Sequence, residues 1–139
     1  MTRVLLLTMI VAATTASQAF AIGELKKEWS DRYAGDDSGD FKVAARKAGC
    51  YVCHVKGVKD KKTEESRNEY GKAMSAYLKS KDMTIDALKA KYKDDATKEE
   101  ATKIMITMFE KVNEEKSKDG EAFGAKIKAG KLPATDANL

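Results

Sequence analysis

Three side chains stand close enough in the chain to share one piece of chemistry: Cys50, Cys53 and His54, in the run Cys50-Tyr51-Val52-Cys53-His54. Two thiols three positions apart can each add to one vinyl group of a porphyrin, and an imidazole directly after the second thiol reaches the iron from the same side. The pattern reads as covalent attachment of one haem c, with Cys50 and Cys53 as thioether anchors and His54 as the proximal iron ligand. Three other chemistries use the same residue types. A redox dithiol of thioredoxin type needs strands around the motif, and strand-like alternating runs of Val, Ile and Thr are absent from this sequence. A structural zinc site needs four ligands, whereas the chain has two cysteines and one histidine. A disulfide between Cys50 and Cys53 would close a loop too small to restrict the unfolded chain by much.

Attachment of this kind belongs with export, and the N-terminal residues have the composition of a leader. Arg3 precedes the apolar run Val4 to Ala13, and Ala19 and Ala21 fit a small-residue cleavage site. The expected division is a cleaved signal peptide over 1–21, a haem-binding domain over 22–133 and a loose tail over 134–139, with Ile22 as first mature residue. The apolar run is too short to span a bilayer, and the polar segment 14–18 argues further against an uncleaved anchor. The destination is then the periplasm or an equivalent extracytoplasmic compartment.

Of the 139 residues, 35% are charged, with one proline and nine glycines, and the formal net charge is +4, lowered by one when Arg3 departs. A balance so near neutrality, with its charges interleaved, gives no support to a nucleic-acid partner. The abundance of Lys, Glu and Ala favours helices, and the expected fold class is all-α: one small helical domain around the haem.

Helical spacing supplies the elements that must position the motif. Leu25, Trp29 and Tyr33 predict a helix near 24–33. Asp40 can cap a second helix with Phe41, Ala44, Ala45 and Ala48 inward, and Gly49 lets the backbone turn into the motif. Thr63 opens a third helix reaching about Ser80, with Tyr70, Ala73, Met74, Tyr77 and Leu78 on one face. Thr84 caps a fourth bearing Ile85, Leu88 and Tyr92. Thr97-Lys98-Glu99-Glu100 has the form of a capping box before the longest helix, with Ala101, Ile104, Met105, Met108 and Val112. Phe123 and Ile127 mark a last short helix, ended by Gly130 and Pro133.

At residues 50–54 the chain resembles the monohaem c-type cytochromes. It departs from the familiar class I pattern, in which an aromatic residue lies on a helix just ahead of the motif and a loop methionine near a proline serves the far side of the iron. Phe41 stands too far upstream, and Pro133 has no neighbouring methionine. The stretches Arg67 to Ala73 and Phe123 to Pro133 are similar to small haem domains of planctomycetes, including anaerobic ammonium oxidisers. Among those is a heterodimeric cytochrome of small monohaem subunits whose iron takes histidine and cysteine ligands and binds nitric oxide. This sequence has no third cysteine, so the resemblance carries over only His54.

His54 is the sole histidine, which excludes a second histidine ligand from this chain. The distal ligand is then a methionine, a lysine, a partner's residue, or none. Met74, Met105 and Met108 lie on helical apolar faces where methionine ordinarily fills core, and Met83 lies in a loop; Met83 and Met108 are the distal candidates. The expected function is one-electron transfer to a redox partner protein. The alternative is a binder or sensor of nitric oxide or carbon monoxide, and the resemblance leaves room for a second chain, as heterodimer or homodimer. An enzymatic reading such as peroxidase lacks a distal acid-base histidine, so the chain is read as a non-enzyme. Lys56, Lys59, Lys61 and Lys62 form a basic loop beside the motif, suited to an acidic partner.

Overall fold

A computed structural model describes residues 23–35, 39–60 and 63–139. The proposed leader and its cleavage position lie outside these residues, as do Lys61 and Lys62 of the basic loop. Among the described residues six α-helices follow in order: α1 (Gly23–Tyr33), α2 (Gly39–Ala48), α3 (Glu69–Lys79), α4 (Ile85–Lys93), α5 (Lys98–Glu114) and α6 (Phe123–Lys128). Short 3₁₀ turns occupy Gly49–Val52 and Glu64–Ser66. Among the described residues there is no strand, only two isolated bridges, one of which joins His54 to Arg67. The all-α expectation holds. No described helix is long and apolar enough to cross a membrane.

The longest helix is the centre of the packing. α5 buries Ala101, Met105, Met108, Phe109 and Val112 along one stripe and packs on α1, α3, α4 and α6. Each partner offers the apolar residues that recur at helical spacing: Trp29 from α1, Tyr70, Met74 and Leu78 from α3, Leu88 from α4, and Phe123 and Ile127 from α6. α2 reaches this core through Phe41, whose ring meets Trp29 edge-on at 6.1 Å. At its other end α2 packs on the 3₁₀ turn that follows it.

A polar thread crosses the apolar interior. Trp29 Nε1 donates to Tyr70 Oη at 3.1 Å, Tyr70 Oη donates to Asn113 Oδ1 at 3.0 Å, and Asn113 Nδ2 donates to Tyr33 Oη at 2.8 Å. α1, α3 and α5 are thereby held in one register. Burial, the largest cause, pushes the Tyr70 hydroxyl well above its ordinary value, so it stays a neutral donor.

Helix starts agree with the sequence at Thr84, whose Oγ1 accepts from Ala87 N at 3.1 Å, and differ at three places, the first being α2, which begins at Gly39 and so holds Asp40 inside its first turn and not at its cap. The third helix does not open at Thr63. Glu64–Ser66 make one 3₁₀ turn, Arg67 and Asn68 are extended, and α3 begins at Glu69 with Asn68 as its cap. Asn68 Oδ1 accepts from Gly71 N at 2.9 Å, a stronger cap than Thr63 can offer. The box at Thr97 does not form, because the Thr97 hydroxyl donates to Lys91 O at 2.8 Å and the Glu100 carboxylate pairs with Lys91 Nζ at 2.9 Å. Both groups tie α5 to the end of α4 instead.

Candidate haem-attachment site

Gly49 ends α2 at φ +55°, a left-handed conformation that costs glycine little, and turns the chain out of the helix. The motif then folds on itself: Cys53 N and His54 N both donate to Cys50 O, at 3.2 and 3.1 Å. One turn thus carries all three predicted site residues. Cys50 is exposed and Cys53 half-buried, and both are free thiols. The Cys53 thiol is pushed up to about 12, first by burial and then by Cys50 beside it. A thiol so raised is protonated at neutral pH. Among the described residues no three His, Cys, Asp or Glu side chains converge to hold a bare metal ion.

The imidazole is aimed by the chain that follows it. His54 Nδ1 lies 3.1 Å from the Ser66 carbonyl oxygen, which can only accept, so Nδ1 carries the proton and the ring lone pair sits on Nε2. The same carbonyl accepts from Val55 N at 2.8 Å, and the Ser66 hydroxyl, donating to Thr63 O at 2.7 Å, stands 3.5 Å from Nδ1. A histidine that ligates metal through Nε2 ordinarily gives its other N–H to such a carbonyl. The donor set therefore fits a haem c: two unpaired thiols three positions apart and an imidazole in the ligating tautomer.

Asn68, fully buried, closes the far side of the turn. Its Nδ2 donates to Tyr51 O and Val52 O, each at 3.0 Å, and its backbone N–H donates to Cys53 O at 3.1 Å. Gly71, one turn into α3, lies directly on that Cys53 carbonyl: a β-carbon there would sit 2.1 Å from the oxygen. None of Ser66, Asn68 and Gly71 stands out in the sequence as part of the site. The available signals were an asparagine three residues ahead of a glycine and that glycine inside a helical pattern, which marks a close approach.

Residues 134–139 were expected to be loose, yet they strap the site. Ala137 is buried and its carbonyl accepts from Lys56 N, two residues past His54, at 2.9 Å. Asp136 Oδ1 accepts from Glu69 N at 2.9 Å, and Asp136 Oδ2 pairs with Lys118 Nζ at 2.7 Å. Glu69 Oε1 returns the contact by accepting from Thr135 N and Oγ1, at 2.6 and 2.8 Å. Burial pushes the Asp136 carboxyl up, but Lys118 and the Glu69 N–H outweigh it and leave the group below its usual value. A depressed carboxyl stabilises the fold at pH values above its unfolded pKa near 3.9, and that contribution is lost as the pH falls through the folded value. Asp136→Ala should therefore melt below the parent at pH 7, with the gap closing in acid below about pH 4; thermal melts across pH check this.

The distal candidates Met83 and Met108 differ in exposure, the first half-buried and the second buried. Met108 is fully buried in α5. Met83 lines an open depression of about 340 Å³ together with Tyr77, Lys81, Glu100 and Ile104, and no motif residue lines it. Basic side chains gather near the motif: Lys56 and Lys59 are exposed after it, Arg46 and Lys47 are exposed in the last turn of α2, and Lys26 Nζ of α1 comes within 3.8 Å of where a β-carbon on Gly49 would lie. Lys26 and the two α2 residues were not read as part of the basic surface from the sequence. No family model matches this chain, and comparisons with curated proteins and with solved structures found no match.

Proposed function

We propose that the chain is a monohaem c-type cytochrome that carries single electrons in the periplasm or an equivalent exported compartment. The observation that carries this reading is the His54 Nδ1 to Ser66 carbonyl contact of 3.1 Å, made on the same turn that presents Cys50 and Cys53. Cys50 and Cys53 hold the haem, and His54 Nε2 ligates its iron. Haem supplies a one-electron couple whose potential is set by axial ligands, hydrogen bonding and burial. The chain's own residues orient the imidazole through Ser66, keep its proton on Nδ1, and enclose the Cys53 side of the turn. Export rests on the leader over 1–21.

Intact mass of the exported protein should show one haem beyond the polypeptide, and a cofactor-free or zinc-loaded product would sink the proposal. Adding carbon monoxide to the reduced protein tests the distal side. An unchanged spectrum supports a six-coordinate carrier. A second reading is a binder of nitric oxide or carbon monoxide, alone or as one subunit of a dimer, which an iron left open on its distal side would allow. A carbon monoxide shift would select that reading.

For the carrier, the partner is an acidic redox protein docking on the surface of Lys26, Arg46, Lys47, Lys56 and Lys59. The Debye length falls from about 30 Å at 0.01 M salt to about 10 Å at 0.1 M. Stopped-flow oxidation by an acidic protein should slow over that range. Reversing Lys56, Lys59, Lys61 and Lys62 to glutamate should slow it roughly tenfold at low salt with the haem spectrum unchanged. Equal rates with acidic and basic oxidants would place docking elsewhere.

A further inference from the structure

We infer that the segment Ser66-Arg67-Asn68 is a ligand-positioning clamp, in which Asn68 fixes the turn that carries His54 while Ser66 fixes the ring. The inference rests on the haem reading above and adds to it the groups that set the iron's ligand geometry. Three consecutive motif carbonyls, of Tyr51, Val52 and Cys53, each accept a hydrogen bond from Asn68, two from the side chain and one from the backbone. The Asn68 amide cannot be turned over, because its oxygen is held by Gly71 N at 2.9 Å and only its nitrogen can face the motif. Its Nδ2 also lies 3.5 Å from His54 O, at the edge of bonding reach.

Two residues upstream, the Ser66 carbonyl accepts the hydrogen bond from the imidazole Nδ1–H. Arg67 is extended between them, with φ −90° and ψ 132°, so the acceptor for the ring and the donors for its turn lie on opposite ends of one stretched residue. The bridge between His54 and Arg67 locks the pair side by side. Moving the turn relative to this segment must lengthen the Nδ1 contact. A weaker bond there makes the imidazole a poorer donor to ferric iron and raises the midpoint potential.

Asn68 is also the cap of α3, and the test must separate that structural duty from positioning. Asn68→Ser keeps a capping oxygen but cannot supply both side-chain donors to Tyr51 and Val52. Thr84→Ala serves as the control, since it removes the cap of α4, where Thr84 Oγ1 accepts from Ala87 N. The measurements are thermal melting, midpoint potential and ferric electron paramagnetic resonance on the full-length exported holoproteins. N68S should shift the one-electron equilibrium about tenfold toward the reduced form, about 59 mV upward, and change the resonance pattern. T84A should lose stability at the parent's potential. Asn68→Thr, which likewise keeps a capping oxygen but supplies no amide donors, should raise the potential in the same direction and decides the matter if N68S yields no holoprotein.

N68S, or N68T in its place, at the parent's potential and resonance pattern, with only melting affected, would overturn the clamp and leave Asn68 a helix cap. A parent protein without haem would overturn the haem reading itself, and the clamp with it.

Discussion

Gly71→Ala should be among the most damaging single substitutions in this protein, destabilising it by about 3 kcal/mol or more. In an exposed helix interior the same change stabilises by about 1 kcal/mol, since alanine is the better helix former. Contact reverses the sign here. The added carbon would sit 2.1 Å from Cys53 O and 3.0 Å from its carbonyl carbon, both backbone atoms that no rotamer change can clear. Either α3 moves off the motif or the motif turn moves off α3, and both break the Asn68 N–H bond to Cys53 O and misalign the two amide bonds to Tyr51 and Val52. Overpacking costs about 1–3 kcal/mol, and each buried carbonyl left unpaired about 1–3 more. On a total stability of about 5–15 kcal/mol this is a drop of roughly 12 °C in melting temperature. Gly23→Ala, with nothing within 4 Å of the new carbon, is the control and should melt no lower than the parent. A Gly71→Ala protein as stable as the parent would mean the motif and α3 are not in contact.

Replacing both thiols, Cys50→Ala with Cys53→Ala, should abolish covalent haem altogether, read as loss of the haem mass and of its absorption band after denaturing precipitation. The structural response should be uneven. α3 to α6 pack on one another around α5, whereas α2 leans on the motif turn and reaches the core through Phe41, Ala45 and Ala48. Without haem joined to that turn, α2 should loosen first, and limited proteolysis should cut between α1 and the motif before it cuts α5. Circular dichroism should show helicity falling with it. Haem retained through denaturation in the double variant, or native helicity and protease resistance in its absence, would contradict this.

The helices were legible because their apolar spacing is local. Trp29, Leu88, Met105, Met108, Val112, Phe123 and Ile127 were read as inward-facing or apolar-face residues and are buried. The chemistry of Cys50, Cys53 and His54 was legible for the same reason, since five adjacent residues carry it. What could not be read was tertiary. Whether Thr63 or Asn68 starts α3 depends on the motif carbonyls, which hold the Asn68 nitrogen and leave its oxygen to cap Gly71 N, and no spacing within 63–80 reveals that. Thr97 has the sequence of a capping residue, yet its hydroxyl and Glu100 answer to Lys91 on the preceding helix. The last residues, small and polar, look loose until Asp136 and Ala137 meet partners at Glu69, Lys118 and Lys56. Lys26 joins the basic surface only because α1 lies beside Gly49.

The polar thread through the interior also makes the molecule its own fluorimeter. Trp29 is the sole tryptophan, 2% exposed, with its indole N–H engaged by Tyr70 and the Tyr33 ring 5.6 Å away. Tyr70 is followed directly by Gly71, which rests on Cys53, so the indole stands only a few side chains from the attachment turn. A haem joined there would absorb the indole's excitation and keep the native protein dark. Cofactor-free chains would glow at the short wavelengths of a dry indole, and unfolded ones at the long wavelengths of a wet one. One emission spectrum would therefore sort loaded, empty and denatured molecules without any added dye.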